Sequence, residues 1–305
     1  MSGLVIIGAG PAGISAAIEA GRQGIRVIVV EKGEIGGTIS RARRVDNYPP
    51  SPPASGRSLA SGFRKRLKDV CRRTVKGEAA EIVAGDTRTA PFRVVLRSGS
   101  VLDAGAVIVA VGQRDHIPPE LQVFGDAISP PDGCLPGKGE KVAVYGGGDA
   151  AFDQAMLFRD NGAEVKLFCR GLPRAGRSLL DEAVSLGIEI NRGHTLSSAR
   201  KRERGVTVAF RNEKGRTLSV DCGRLVAALG KEVPGMKICG TDLREITRGL
   251  FPGSFEQPVD GIFLAGDVAR GRDRYLAAAV ADGIIAAKRA AELFRGGKNG
   301  PVGDR

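Results

Sequence analysis

The chain alternates short, unbroken apolar runs with glycine turns and small-residue stretches. LVII, residues 4–7, leads into GAGPAG and then SAAIEAG, and a second run, VIVVE, closes the segment at Glu31. Short apolar runs bounded by glycine read as strands buried on both faces, and the small-residue stretch between them as a helix. The segment therefore predicts a βαβ unit. The same order returns in KVAVYGGGDAAFDQAMLFRDNGAEVKLFCRG, residues 141–171. Between the two units, VLDAGAVIVAVGQ predicts a strand that starts alternating, becomes continuously apolar and ends at Gly112. Near the end, GIFLAGDVARGRDRYLAAAVADGIIAAKRAAELF predicts a strand, a Gly266-Asp267 turn and a long alanine-rich helix. One stretch has helical period instead: in SGRSLASGFRKRLKDVCRR, Leu59, Phe63, Leu67 and Val70 share a face, with Arg64, Lys65, Arg66, Lys68 and Arg72 elsewhere around it.

Composition narrows what such a chain can do. With 305 residues and 44 glycines, two domains rich in tight turns are expected. No apolar run approaches the roughly 18 residues of a membrane span. MSG passes straight into LVIIGAG without a charged leader, so a soluble, cytoplasmic protein is expected. The five cysteines, Cys71, Cys134, Cys169, Cys222 and Cys239, include no C-x-x-C pair and suggest neither a disulfide framework nor a metal site. Only His116 and His194 occur, with no G-x-S-x-G or H-E-x-x-H, so no side chain is singled out as a catalytic nucleophile or base. Chemistry must then be carried by a bound cofactor. The net charge of +12 is spread along the chain and is densest from Arg41 to Arg73. We read that part as a solvated amphipathic helix, because no aromatic platform or nucleic-acid-binding motif accompanies it; neither a nucleic acid nor a membrane is expected as partner.

The glycines of the first unit have separate tasks: Gly8 makes the turn, Gly10 admits a pyrophosphate, and Gly13 lets helix and strand pack closely. The helix N-terminus attracts the anion, and Glu31, ending the second strand, can accept from ribose hydroxyls. In the second unit Gly146, Gly148 and Ala151 form a G-x-G-x-x-A turn, with Asp149 and Ala150 inside it. There the second strand ends at Cys169 and Arg170, with Arg174 following, and no carboxylate is present. Cationic groups suit the 2′-phosphate of NADPH; the alternative is that both arginines belong to the general basic surface and NADH is used. Asp267 is suited to a ribityl chain, with the helix N-terminus near Tyr275 pointing amides at a flavin ring; read alone, an isolated Gly-Asp is more readily a plain N-cap or turn residue.

With these motifs in order, GAGPAG, EKGEIGGTIS, VDNYPPSPPASGRSL, AVG, GGGDAA and the terminal GIFLAGDVARGRDRYLAAAVADG, the chain resembles the low-molecular-weight thioredoxin reductases and their relatives over nearly its whole length. These are two-domain FAD and NAD(P)H flavoproteins of the class II pyridine nucleotide-disulfide oxidoreductases. The resemblance implies an α/β fold of two Rossmann-like, three-layer ββα domains. An FAD domain would span 1–115 and 242–305, with an NAD(P) domain, 116–241, inserted into it. It also implies a homodimer. It places FAD against Gly8, Gly10, Pro11, Ala12, Gly13, Glu31 and Lys32; against Gly36, Gly37, Thr38 and Asn47; and against Ala110, Gly112, Gly266 and Asp267, with Ala79 near the adenine.

Three departures stand out. Where the family has arginine, glutamine and alanine beside the flavin, this chain has Arg274, Tyr275 and Leu276. The basic pair of the second strand is reduced to Arg170, with Arg174 displaced. Where thioredoxin reductases carry C-x-x-C before an Asp-Gly, Ile128 and Pro131 precede Asp132-Gly133, and Cys134 follows without a partner. A lone thiol cannot cycle as a dithiol, so a structural or incidental role is expected for Cys134. The expectation is an FAD-dependent NAD(P)H oxidoreductase passing electrons to an external acceptor, with an acidic carrier such as ferredoxin or flavodoxin suited to the basic surface. The alternatives are a flavoprotein reduced by a carrier other than NAD(P)H and a non-catalytic flavin-binding regulatory subunit.

Overall fold

The computed structural model describes residues 3–71, 73–131, 135–248 and 259–296. Its first unit is built on a five-stranded parallel sheet in which Leu4–Ile7 lies between Val27–Glu31 and Ala106–Val109, with Thr74–Lys76 and Ile262–Leu264 at the edges. Leu4–Ile7 and Ala106–Val109 are buried at every position, as expected of parallel strands covered on both faces. On one face lie the helices Pro11–Arg22 and Leu276–Gly296, whose alanines let them pack closely over Leu4, Ile6 and Ile108. On the other lies the antiparallel sheet of Ala79–Thr87, Ala90–Leu96 and Val101–Ala104, which encloses Val5, Ile7, Val107 and Phe92. Helices, parallel sheet and antiparallel sheet give three layers.

The second unit repeats the plan. Lys141–Tyr145 pairs in parallel with Glu164–Cys169 and Arg224–Ala227, and the sheet is completed by Glu189–Arg192 and Ile128–Ser129. Asp149–Asp160 and Arg177–Ser185 supply the helical layer, burying Phe152, Met156 and Phe158. The meander His194–Lys201, Val206–Asn212 and Thr217–Cys222 covers the opposite face. There the Phe168 and Phe210 rings stack with centroids 3.8 Å apart, a contact worth roughly 0.5–1.5 kcal/mol beyond their burial. The chain crosses between the units along two short strands, Arg114–Asp115 and Lys231–Glu232, which pair with each other. Lys237–Ile238 then pairs with Ala79–Thr87, so the chain rejoins the first unit's antiparallel sheet at that strand.

The helix Gly56–Val70 forms with Leu67 buried and Lys65, Arg66 and Lys68 exposed, and Ser55 caps it by accepting from the Ser58 amide. The stretch VLDAGAVIVAVGQ, in contrast, is two strands. Val101–Ala104 alternates exposed and buried and belongs to the antiparallel sheet; Ala106–Val109 is buried throughout and belongs to the parallel one. The break falls at Gly105, whose amide donates to Gly3 O, where the period changes from alternating to continuous.

Candidate active site

The first glycine turn is braced from all sides. Gly8 has φ +105°, a conformation suited to glycine, and a Cβ there would run into the Ala110 carbonyl oxygen. Pro11, Ala12 and Gly13 open the helix, with proline at its first position, where no amide hydrogen is needed. Gly36 donates its amide to Ala9 O at 2.8 Å, drawing the loop of Gly36, Gly37 and Thr38 over the turn. Glu31 bonds the turn as well: its Oε2 accepts from the Ala9 amide at 2.6 Å and its Oε1 from Gly33 at 2.7 Å. Each carboxylate oxygen keeps acceptor capacity for a hydroxyl. Lys32 pairs with Glu78 at 3.4 Å, beside Ala79, the first residue of its strand. Asn47 lies in an exposed loop.

Beyond Ala110 and Gly112 the chain presents Gln113, which ties two motifs together. Its Nε2 donates to Asp267 O at 2.9 Å, and its Oε1 accepts from Arg274 at 2.8 Å. The Gly266-Asp267 turn is held from behind by Asp282, a buried carboxylate that accepts from the Gly266 amide at 3.1 Å and from Arg270 through two bonds of 2.6 Å. The pairing with Asp282 outweighs burial and raises the Arg270 guanidinium further, so it stays charged. Burial also raises the Asp267 carboxyl, against the opposing pull of Arg274 and Lys231. No hydrogen bond reaches the Asp267 carboxylate from the described residues, which leaves it free to accept from a bound polyol. Tyr275 is 56 % exposed, and the helix proper begins at Leu276.

In the second unit Gly146 closes the strand and Gly148 precedes the helix Asp149–Asp160, with Ala151 packed beneath. The Asp149 carboxylate accepts from the Gly176 amide at 2.9 Å, next to the start of the following helix. The Arg174 amide donates to Gly147 O at 2.6 Å, folding the loop after Arg170 back over the glycine turn. Burial raises the Cys169 thiol, partly offset by Arg192, so it stays neutral.

A cleft of about 660 Å³ runs from this turn to the flavin-side motifs. One wall carries Gly146, Gly148, Asp149, Ala150, Arg170 and Arg174; the other carries Asp267, Arg274 and Tyr275. Sequence reasoning missed Asp115, Lys231 and Arg272, which also line it. Lys231 pairs at 2.6 Å with Asp115, a carboxylate only 7 % exposed. A signal for Lys231 was present, since AALG before it repeats the VAVG, residues 109–112, that ends the corresponding strand of the first unit.

Both turns fit dinucleotides. A Cβ built on Gly10 or Gly148 meets nothing within 4 Å, so each helix N-terminus opens onto free space where a pyrophosphate would rest. Two such cradles, the second opening into a cleft that reaches Asp267, fit a two-nucleotide oxidoreductase of the flavin and nicotinamide type. The chain belongs to the pyridine nucleotide-disulphide oxidoreductase family, whose profile matches residues 2–283. It is 29 % identical over 304 residues to a thioredoxin reductase of Treponema pallidum, covering 95 % of this chain and 96 % of that protein. It is 25 % identical over 299 residues to the thioredoxin reductase of Bacillus subtilis, covering 93 % and 92 %. The fold superposes with a TM-score of 0.82 on Lactococcus lactis thioredoxin reductase in its FR conformation, at 22 % identity, over 96 % of this chain and 99 % of that one. The protein is thus a thioredoxin reductase-like flavoprotein of a family that binds FAD and NADPH. Asp132, Gly133 and Cys134 lie outside the described residues, as does Arg72; Ile128 is buried in its short strand, and Pro131 O accepts from Arg41 at 2.8 Å. Among the described residues no helix is long and apolar enough to cross a membrane.

Proposed function

We propose that the protein is an FAD-dependent NAD(P)H oxidoreductase that passes electrons from nicotinamide through flavin to an external acceptor, without an internal dithiol. The unit of residues 1–115 and 242–305 takes FAD, and the inserted unit, 116–241, takes the nicotinamide nucleotide. The observation that carries this reading is the single cleft joining the Gly146–Gly148 turn to Asp267, Arg274 and Tyr275. When bound, the two cofactors supply the hydride chemistry. The chain orients them: glycine turns and helix N-termini fix the pyrophosphates, Asp267 and Glu31 accept from hydroxyls, and Arg274 is aimed by Gln113. Arg170 and Arg174, on the cleft wall, offer cations to a 2′-phosphate and favour NADPH over NADH.

Thioredoxin reduction, the activity named for the relatives, uses a thiol pair for which this chain offers no C-x-x-C. A strongly basic chain favours an acidic protein carrier, of the ferredoxin or flavodoxin kind, as acceptor, and the working form is a homodimer in the cytoplasm. Anaerobic mixing with NADPH or NADH tests the reading. Rapid loss of the oxidised flavin band with at least one nucleotide is expected, followed by reoxidation by acceptors without thioredoxin. No bleaching by either nucleotide, or thioredoxin as the one productive acceptor, sinks it.

A further inference from the structure

The arginine-dense run after the first unit's FAD loop does something that neither glycine turn explains. In SRARRV, residues 40–45, all three arginines reach across to the second unit, Arg41 to Pro131 O and Arg43 and Arg44 to carboxylates. The Arg43 side chain, 15 % exposed, donates through Nε to Asp160 and through Nη1 to Glu182 at 2.7 Å. Its amide donates to Asp153 Oδ2 at 2.9 Å, and Arg44 adds a bond of 3.2 Å to Glu182. Asp153 and Asp160 belong to the helix that begins at the second glycine turn, and Glu182 to the next helix. The other end of the same loop lies over the first turn, where a Cβ on Gly37 would sit 3.0 Å from Gly10 Cα. One short segment therefore touches the pyrophosphate cradle of one unit and grips the dinucleotide helix of the other.

The chemistry of the junction makes it decisive for how the units face each other. Two carboxylates of the second unit, Asp160 and Glu182, share the Arg43 guanidinium, and a third, Asp153, takes its backbone amide. Removing one partner of a part-buried ionic cluster strands the rest and costs far more than a surface pair contributes. Burial lowers the Arg43 guanidinium, but its bonds to Asp160 and Glu182 outweigh that effect and hold it charged. Burial raises the Asp153 carboxyl, which the Arg43 and Arg44 amides only partly counter.

We propose that Arg43 is a positioning residue for hydride transfer: by gripping Asp160 and Glu182 across the junction, it keeps the Gly146–Gly148 turn and its cleft opposite Asp267. This rests on the reading that the cleft takes a nicotinamide nucleotide. Arg43 touches neither cofactor cradle through its side chain, so it acts on the relative placement of the two units and not on nucleotide affinity. A displacement of about 1 Å between reacting groups costs up to roughly 100-fold in rate.

The test uses the full-length holoprotein with Arg43→Glu, and with Arg43→Glu combined with Glu182→Arg to restore opposite charges. Arg43→Glu is expected to keep FAD and to bind NADPH with unchanged Kd, while flavin bleaching at saturating nucleotide slows by about 100-fold. Small-angle X-ray scattering should show the two units further apart, and the double variant should recover both the rate and the scattering profile. An unchanged bleaching rate with an unchanged profile overturns the proposal, as does a slowed rate caused entirely by weaker nucleotide binding. Should Arg43→Glu fail to fold, Glu182→Gln removes the same ion pair at constant volume; it is expected to slow bleaching by about tenfold, and a wild-type rate and profile overturn the proposal. If neither nucleotide bleaches the unaltered protein, the functional reading fails, and scattering alone still decides whether Arg43 fixes the arrangement.

Discussion

The two glycine turns share a backbone plan and differ at the end of the second strand. Cys169 stands as far past Gly146 as Glu31 stands past Gly8. Glu31 is a carboxylate that bonds its own turn through Ala9 and Gly33. Cys169 is a buried neutral thiol, and the bracing it cannot provide comes from the loop that returns through the Arg174 amide to Gly147 O. That loop brings Arg170 and Arg174 to the cleft. On the proposed reading, one scaffold would offer an acceptor to hydroxyls at one site and cations to a phosphate at the other, and the change is made by a few residues after a single strand.

The largest effect that sharpens this contrast is loss of flavin. Gly10→Val should fold, because the added Cβ meets open space, yet the branched side chain occupies the place of the pyrophosphate. The purified variant is expected to be colourless with a thermal unfolding midpoint close to that of the flavin-free parent; full flavin content would refute the assignment of the first turn. Gly148→Val is the matching change in the second unit. It should retain FAD while nucleotide binding, followed by titration of the flavin band, weakens by about 3 kcal/mol, the upper range for overpacking. Loss of FAD in that variant would reverse the two assignments.

A smaller effect separates the two nucleotides. Arg170→Ala should weaken NADPH by ~1.5 to 3 kcal/mol and leave NADH nearly unchanged, as a charge-assisted hydrogen bond to a 2′-phosphate requires. Equal loss for both, in parallel binding titrations, would return Arg170 to the general basic surface. Smallest is the alkaline behaviour of the thiols. Burial pushes the Cys222 thiol from 9.0 up to about 11, so between these values the unfolded chain gives up a proton that the folded chain keeps. Stability should therefore fall as pH rises through that window, and Cys222→Ala should flatten the fall. At neutral pH, alkylation followed by mass spectrometry should mark the exposed Cys239 and spare Cys71, Cys169 and Cys222 until the protein unfolds.

Much of this was legible in the chain. The paired strand–glycine–helix–strand patterns are local signals, and Gly8, Glu31, Gly146 and Asp267 sit in the structure at the turns and strand ends those patterns foretold. What stayed hidden depends on the path of the chain in space. The Arg270–Asp282 pair joins residues 12 apart that meet only because the last helix runs back over the Gly266 turn. Arg43 finds Asp160 117 residues away, and nothing in RARR distinguishes it from a solvated basic run. Gly105 was misjudged because a change of period inside one apolar stretch marks a change of sheet only when the partner strands are known.

The central claim, electron flow through flavin with no internal dithiol, has a direct stoichiometric test. The purified protein and its Cys134→Ser variant are titrated anaerobically with NADPH while the flavin absorbance is followed. The account predicts that both bleach fully with a single NADPH per FAD, and that neither takes up a second pair of electrons. Uptake of two NADPH per FAD by the unaltered protein, reduced to one by Cys134→Ser, would place a redox-active thiol in the path and contradict it.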